Sequence, residues 1–600
     1  MASAGRVHTS QKHRKELAET DEDGTRRGSK LERPCVCGRQ NLAWMAIAFL
    51  LAYLTYYVRP VRHYSYAVCV SSGGTIYTAE PDSPFAECIA ITGSHISFVG
   101  KRADLENLRA QSAGWLGRFQ SLLTFSRSGI TDTRIAINTL DGDLSILPGL
   151  IDAHAHPLEY GEASMGVDLV GCKSVQSVIA RIISHISLES AEPSGIIRGS
   201  GWDQNLFEGK QFPSAIALSS HPELQGKKIV LRRIDYHAYW VSEAILDSIL
   251  TENLAQDVKG GKIVRDRNGR PTGVFIDNAM DLIDEILPKR TDEDRFKYLE
   301  STAKEMLAVG LTTVNDAATD LETVEFYKKL DAQDKLPVRV TGMVNCGYTY
   351  CGDQVEKVSG NKFNLRSVKL FVDGALGSWG AALWEPYSDL SSSRGILRAP
   401  EEVFPPLIQQ WVDAGFQVNS HAIGDRANTL VIDSYEQVLR NLSYKSTHSP
   451  RPFNFLRLRI EHAQILRQID MERMGKMGII ASVQPTHAIA DMDYAEDRLG
   501  SERIRGAYAW NSLLKQNVTL ALGSDFPVSA VSPFLGIHAA YTRRKPDLSY
   551  EDEGQGCLRV GKLADLVIIN QNLFDDSLWY NLILLNPLPY MHDEITYHRT

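Results

Sequence analysis

Between Gly149 and Val528, eight short runs rich in β-branched residues recur with helical stretches between them: "GLIDAHAH", "LTTVND", "VRVTGMV", "SVKLFVDG", "FQVNSHAIGD", "RLRIEHAQ", "IIASVQPTH" and "TLALGSDFPV". A strand, a helix and a further strand make the unit of a parallel sheet, and eight such units close a barrel. The expected fold is therefore α/β, a (β/α)8 TIM barrel over residues 147–550, with its working face at the C-terminal ends of the strands. Residues 201–289 fall between the first two runs and carry "GWDQNLF" and "RRIDYHAYW". That insertion is too long for a βα loop and is expected to cap the barrel mouth.

The two chain ends have a different texture. Residues 65–146 hold "SSGGTIYT" and "CIAITGSHISFVG", which alternate apolar and polar residues around Gly turns, and "GCLRVGKLADLVIIN" near the other end is also strand-like. Residues 65–146 and 556–600 are expected to pair into a β-sandwich flanking the barrel. Ahead of them, "NLAWMAIAFLLAYLTYYV", residues 41–58, carries no charge and ends near Tyr56 and Tyr57. It is long enough to cross a thin bilayer as a transmembrane helix. Residues 1–40 hold nine Lys or Arg, so the positive-inside rule makes them a disordered cytosolic leader and residues 41–58 a signal-anchor. The barrel then lies in the lumen of an endoplasmic reticulum or Golgi-type membrane. A cleaved signal peptide and a buried helix of the soluble domain are the alternatives.

The formal net charge is -9, and the 64 basic residues are spread along the chain. Without a basic stripe to follow a phosphate backbone, nucleic acid is not an expected partner. Eight cysteines at irregular intervals do not read as a disulfide framework, and none has the CxxC spacing of a structural zinc site.

In a strand, residues i and i+2 share a face, so His154 and His156 project together from the tip of the first run. Such a pair is half a metal site, or two core histidines satisfied by carbonyls. Later strand ends supply His421 in "NSHAIGD", His462 in "RIEHAQ" and Asp525 in "GSDFPV". Four histidines and an aspartate converging from four strands are nitrogen and oxygen ligands of the kind zinc takes, as one ion or two. Lys369 sits inside an apolar strand, where an ammonium is costly and its pKa is pushed down. Carbamylated by carbon dioxide it would bridge two cations; as a plain amine it would pair with Asp373 or reach the rim. Trp202, Asp203, His237, Asp373 and Arg426, in the cap or just beyond strand ends, are substrate-pocket candidates. Structural roles stand beside that one: cap core for Trp202, a turn for Asp373, an ion pair with Asp425 for Arg426. Strand alternation points Glu461 away from His462.

Taken in order, "PGLIDAHAH", "GWDQNLF", "VKLFVDGALGS", "SHAIGDRA", "RIEHAQ", "LGSDFPV" and "GKLADLVII" resemble the amidohydrolase superfamily, specifically its amidohydrolase-3 branch, from about Ser71 to Asn570. The resemblance implies a metal-dependent hydrolase of carbon-nitrogen bonds other than peptides, acting on a small-molecule amide such as an N-acyl or N-formyl amine. It implies Zn2+, with His154 and His156 on one ion, His421 and His462 on the other, and carbamylated Lys369 between them. Asp525 would ligate metal and carry the proton. Ester or lactone hydrolysis at the same site and a signalling role without turnover are alternatives, and a homo-oligomer is open. Three stretches depart from the branch. The path from Ser532 to Gly556 is short by a helical stretch, the tail "LLNPLPYMHDEITYHRT" lacks the usual closing strands, and "QSAGWLGRFQSLLTFSRSGITDTR" is a longer connection than usual. The shortened path is expected to leave strand surface near "TLALGSDF" poorly covered.

Overall fold

Each of the eight β-branched runs forms a strand in the computed structural model: Leu150–Ala155, Leu311–Thr319, Arg339–Val344, Phe363–Phe371, Gln417–Ala422, Arg459–His462, Ile480–Val483 and Leu520–Leu522. Each pairs in parallel with the next. The structure describes residues 65–113, 135–142, 144–188, 195–251, 256–445, 453–545 and 566–569. The leader 1–40, the apolar segment 41–58 and most of 556–600 lie outside them. Among the described residues no helix is long and apolar enough to cross a membrane.

Parallel strands are covered on both faces, and the fourth strand shows how the sequence divides them. Val368 and Leu370 point outward into the core that the strands share with the surrounding helices. Lys369 and Phe371 point the other way, with the Lys369 Nζ 4.6 Å from the Phe371 ring centroid. The first and eighth strands meet at their C-terminal ends, where the Asp525 amide donates to the His154 carbonyl at 2.7 Å and the His156 amide to the Phe526 carbonyl at 2.9 Å. Gly523 permits this approach, since a Cβ there would sit 2.6 Å from the His154 nitrogen. The buried Asp152 carboxylate fastens the same seam, accepting from the His154 amide, the Ser524 amide and the Ser524 hydroxyl, the last at 2.6 Å. Farther along, the outer wall of the seam is bare: Ile151 is 60% and Leu522 43% exposed. Helix Pro533–Thr542 follows the eighth strand, and residues 546–565 lie outside the described residues.

The cap is a six-stranded mixed sheet in the order Gly261–Arg265, Pro271–Asp277, Ala238–Val241, Lys228–Arg233, Ile196–Trp202, Val167–Asp168. It begins at Val167, ahead of the expected boundary at Gly201. Val167–Asp168, helix Val175–Leu188 and Ile196–Trp202 form a parallel strand-helix-strand unit, whose sequence pattern is that of the barrel itself. Alternation along the cap strands builds one apolar layer on each face: Trp202, Leu231, Trp240 and Ile276 on one, Val230, Tyr239, Val241 and Phe275 on the other.

The flanking sandwich consists of two four-stranded sheets. Leu566–Ile569 runs antiparallel to Ser145–Pro148, so the two ends of the chain do meet there. Ile76 and Ile146 of that sheet pack on Val70, Ile89 and Ile91 of the other. Two disulfides, Cys69–Cys88 and Cys346–Cys351, correct the expectation drawn from irregular cysteine spacing. Cys69 and Cys88 stand directly opposite in an antiparallel pair, and the neighbouring Val70 amide takes the hydrogen bond to Glu87. That leaves the cysteines at the closer, non-hydrogen-bonded position. A linear separation of 19 residues carries no trace of this register.

Candidate active site

The first strand delivers His154 and His156 to the mouth, where the Asp525 carboxylate from the eighth meets both. The Asp525 Oδ1 is 3.4 Å from the His154 Nε2 and 3.2 Å from the His156 Nε2. Asp525 adopts a left-handed φ of +59°, a conformation Asp tolerates better than most residues, and this turns its side chain back over the barrel. The Lys369 Nζ lies 3.4 Å from the His154 Nε2. His421 and His462 complete the cluster, with ring centroids 4.4 Å apart and His462 4.9 Å from His154. All six expected ligand residues are thus neighbours at one end of the barrel.

Burial decides the protonation of this cluster. Desolvation pulls His154 down to about 4, with the Lys369 charge adding to the fall. It also holds His421 and His462 well below the usual imidazole range, with the Lys369 charge adding to the effect. Burial acts to raise Asp525, but His154 and His156 outweigh it and hold the carboxyl well below the usual range. At neutral pH His154, His421 and His462 are therefore neutral imidazoles beside an ionised Asp525 carboxylate, the forms that bind metal. The Nε2 of His421, the Nδ1 of His462 and the Nε2 of His487 are buried without a hydrogen-bond partner. Ligand atoms of His154, His462 and Asp525 lie within 4.8 Å of one another. A divalent cation satisfies such lone pairs, so the residues fit a metal ion.

Three residues not anticipated in the sequence surround this cluster. Glu461 is fully buried, and its Oε2 accepts from the His154 Nδ1 at 2.6 Å. The expected divergence of Glu461 and His462 fails because His462 and Ala463 take φ of +73° and +42°, which ends strand alternation at that point. His487, at the close of the seventh run, places its Nε2 3.7 Å from the Asp525 Oδ2 and stacks on His462 at 6.0 Å. Asp277, from the cap, receives the His237 Nδ1 at 2.7 Å.

The pocket candidates scatter. His237 reaches the cluster, its ring centroid 5.4 Å from that of His421. Asp373 lies 3.5 Å from the His421 Nε2, yet its oxygens accept the amides of Ala382, Ile423 and Gly424. Burial still raises its carboxyl to about 7. Trp202 is wholly buried in the cap, donating to the Leu231 carbonyl and packing on Trp240. Asp203 pairs with the buried Arg233 at 2.6 Å. Arg426 pairs with Glu401 at 2.5 Å, beside a 340 Å³ cavity lined by Lys259, Leu397 and Pro400.

Residues 142–553 match the amidohydrolase family. The chain belongs to that family. As an amidohydrolase it is a hydrolase, and its similarity to relatives runs most of its length. It is 30% identical to Protein LONG AFTER FAR-RED 3 of Arabidopsis thaliana over 84% of this chain and 87% of that protein. It is 31% identical to the putative amidohydrolase YtcJ of Bacillus subtilis (strain 168), over 68% of this chain and 75% of that one. With the N-substituted formamide deformylase of Arthrobacter pascens it shares 23% identity over 83% of this chain and 93% of that enzyme. An uncharacterized metal-dependent hydrolase from Pyrococcus furiosus has the same fold, with TM-score 0.60 and 22% identity over 84% of this amidohydrolase and 99% of that chain.

Proposed function

We propose that the protein is a zinc-dependent amidohydrolase of a non-peptide carbon-nitrogen bond, acting on an N-acyl or N-formyl amine. The observation that carries this reading is the anionic Asp525 lodged between His154 and His156 on one side and His487 on the other. A bound divalent ion supplies the acidity that makes water a nucleophile near neutral pH and polarises the scissile carbonyl. Asp525 accepts the proton of the attacking water at a carboxylate oxygen and returns it to the nitrogen that departs. His156, whose pKa the Asp525 hydrogen bond and charge raise against its burial, steadies the carboxylate in its ionised form. The formamide deformylase relative supports the amide class. Assaying the zinc-loaded protein on a panel of N-acyl and N-formyl amines tests the reading. Measurable release of amine is expected, and its absence with at least one equivalent of zinc bound overturns it.

Carbamylated, Lys369 would serve as a further anionic residue to hold metal. Burial pulls its ammonium down to about 8, against the opposing charges of Glu461 and Asp525. The neutral amine attacks carbon dioxide and loses a proton to become an anionic carbamate. With a pKa near 8, its neutral fraction climbs from about a tenth at pH 7 to about nine tenths at pH 9. At a fixed bicarbonate concentration the activity finally recovered by stripped protein supplied with zinc should therefore rise over that without bicarbonate, several-fold more at pH 8.5 than at pH 7. Lys369→Ala should show no bicarbonate effect; equal recovery with and without bicarbonate in the native chain would count against the carbamate.

The proposed location is lumenal, with residues 41–58 as the anchor. Two disulfides support an oxidising compartment.

A further inference from the structure

We propose that His237, carried by the cap and oriented by Asp277, accepts the N–H of the scissile amide and so makes the site select amides over esters. The proposal rests on the hydrolase reading above and assigns its substrate discrimination to a residue outside the metal cluster.

The His237 Nδ1 is 2.7 Å from the Asp277 Oδ1. A carboxylate can only accept, so Nδ1 holds the hydrogen and Nε2 is left with its lone pair. The Nε2 has no hydrogen-bond partner among the described residues. The ring packs beside that of His421 at 5.4 Å, and the side chain keeps 14% exposure, which puts it at the rim where cap and metal cluster face each other.

The surroundings are shaped to hold this pair. Asp277 is 1% exposed and sits at a φ of +52°, a strained conformation that persists only where its neighbours enforce it. Gly374 and Gly380, on the loop after the fourth strand, make room for it: a Cβ at either would come within 2.3 and 2.9 Å of the Asp277 Oδ2. On the other side the His237 amide donates to the Asp235 Oδ1 at 3.1 Å, while the Asp235 Oδ2 accepts from the Arg233 Nη1 at 2.5 Å. Arg233 is itself fully buried and donates to Gln204, which donates onward to the Gly377 carbonyl of the same loop at 3.3 Å. The imidazole is thus fixed from the cap and from the barrel at once.

A fixed acceptor has a mate in a secondary amide. In an ester or lactone the matching position is an alkoxy oxygen, whose lone pairs face those of Nε2, and an unmatched polar contact of this kind discriminates more strongly than a missing apolar one.

The test compares an N-alkyl formamide with the isosteric alkyl formate, using full-length zinc-loaded protein and confirming equal zinc content in each preparation. In His237→Ala the ratio of kcat/KM for amide over ester should fall about tenfold. Asp277→Asn should lower the same ratio, because its amide N–H reverses the tautomer and turns Nε2 into a donor. A merely supporting role for the pair would depress both substrates equally, and an unchanged ratio in both variants overturns the proposal while leaving the hydrolase reading intact. A native protein inactive on both substrates overturns the hydrolase reading and this proposal together.

Discussion

Asp525→Asn should reduce kcat on an N-acyl amine by about a thousandfold, within the span that a positioned proton carrier contributes. The asparagine keeps the volume of the carboxylate and one carbonyl oxygen, so the side chain still meets the His154 and His156 rings, which lie 3.4 and 3.2 Å from the native Oδ1. It removes the basic oxygen that takes the proton of water and gives it to the leaving amine. Metal content should fall far less than activity, because His154, His156, His421 and His462 remain. Steady-state kinetics beside metal analysis of the same sample checks both halves. Retention of more than about a tenth of the native kcat would show that Asp525 does not carry the proton. The same variant separates catalysis from a role without turnover: if it restores a cellular phenotype lost on deletion of the native chain, that role does not need hydrolysis.

The barrel and the histidine cluster at its mouth were legible in the sequence because their signals are local. A parallel strand buried on both faces is a short apolar run, and a ligand at its tip appears where that run breaks into polar residues. His421, His462 and Asp525 all lie at such breaks, and the structure gathers them. What depended on distant parts of the chain was not legible. Strand alternation misdirects Glu461 because it holds only while φ stays extended, and His462 leaves that region. The Cys69–Cys88 bridge reflects strand register, and the early start of the cap is hidden by a strand-helix-strand pattern equal to the barrel's own. His487 stood in plain view at the end of "IIASVQPTH", but only the packing of the seventh strand against the eighth brings it to Asp525. Trp202 shows the converse: an aromatic residue in a cap motif reads alike whether it lines a pocket or fills a core, and here its indole is wholly buried.

Glu461→Ala is expected to cost both stability and metal, by separable routes. Arg459 binds the Glu461 Oε2 through Nη2 at 2.9 Å, and the same Nη2 reaches the Ser482 hydroxyl at 2.9 Å. Burial acts to raise Glu461, yet Arg459 and His154 hold its carboxyl well below the usual range. Removing it leaves a buried guanidinium without its counter-charge, a change worth about 3–5 kcal/mol of unfolding free energy. It also releases the His154 Nδ1, whose hydrogen bond to the carboxylate fixes the tautomer and ring orientation with which His154 would hold a metal ion. Loss of such an outer partner lowers metal affinity by about 10–100-fold. Glu461→Gln lessens the first effect without abolishing it, since the amide oxygen still accepts from Arg459 or His154 although the negative charge is gone. Chemical denaturation should show the glutamine variant keeping more of the native stability than the alanine variant, while competition with a chelator shows zinc held at least tenfold more weakly in both. Native zinc affinity in Glu461→Gln would place the carboxylate in the barrel core alone and remove it from the metal site.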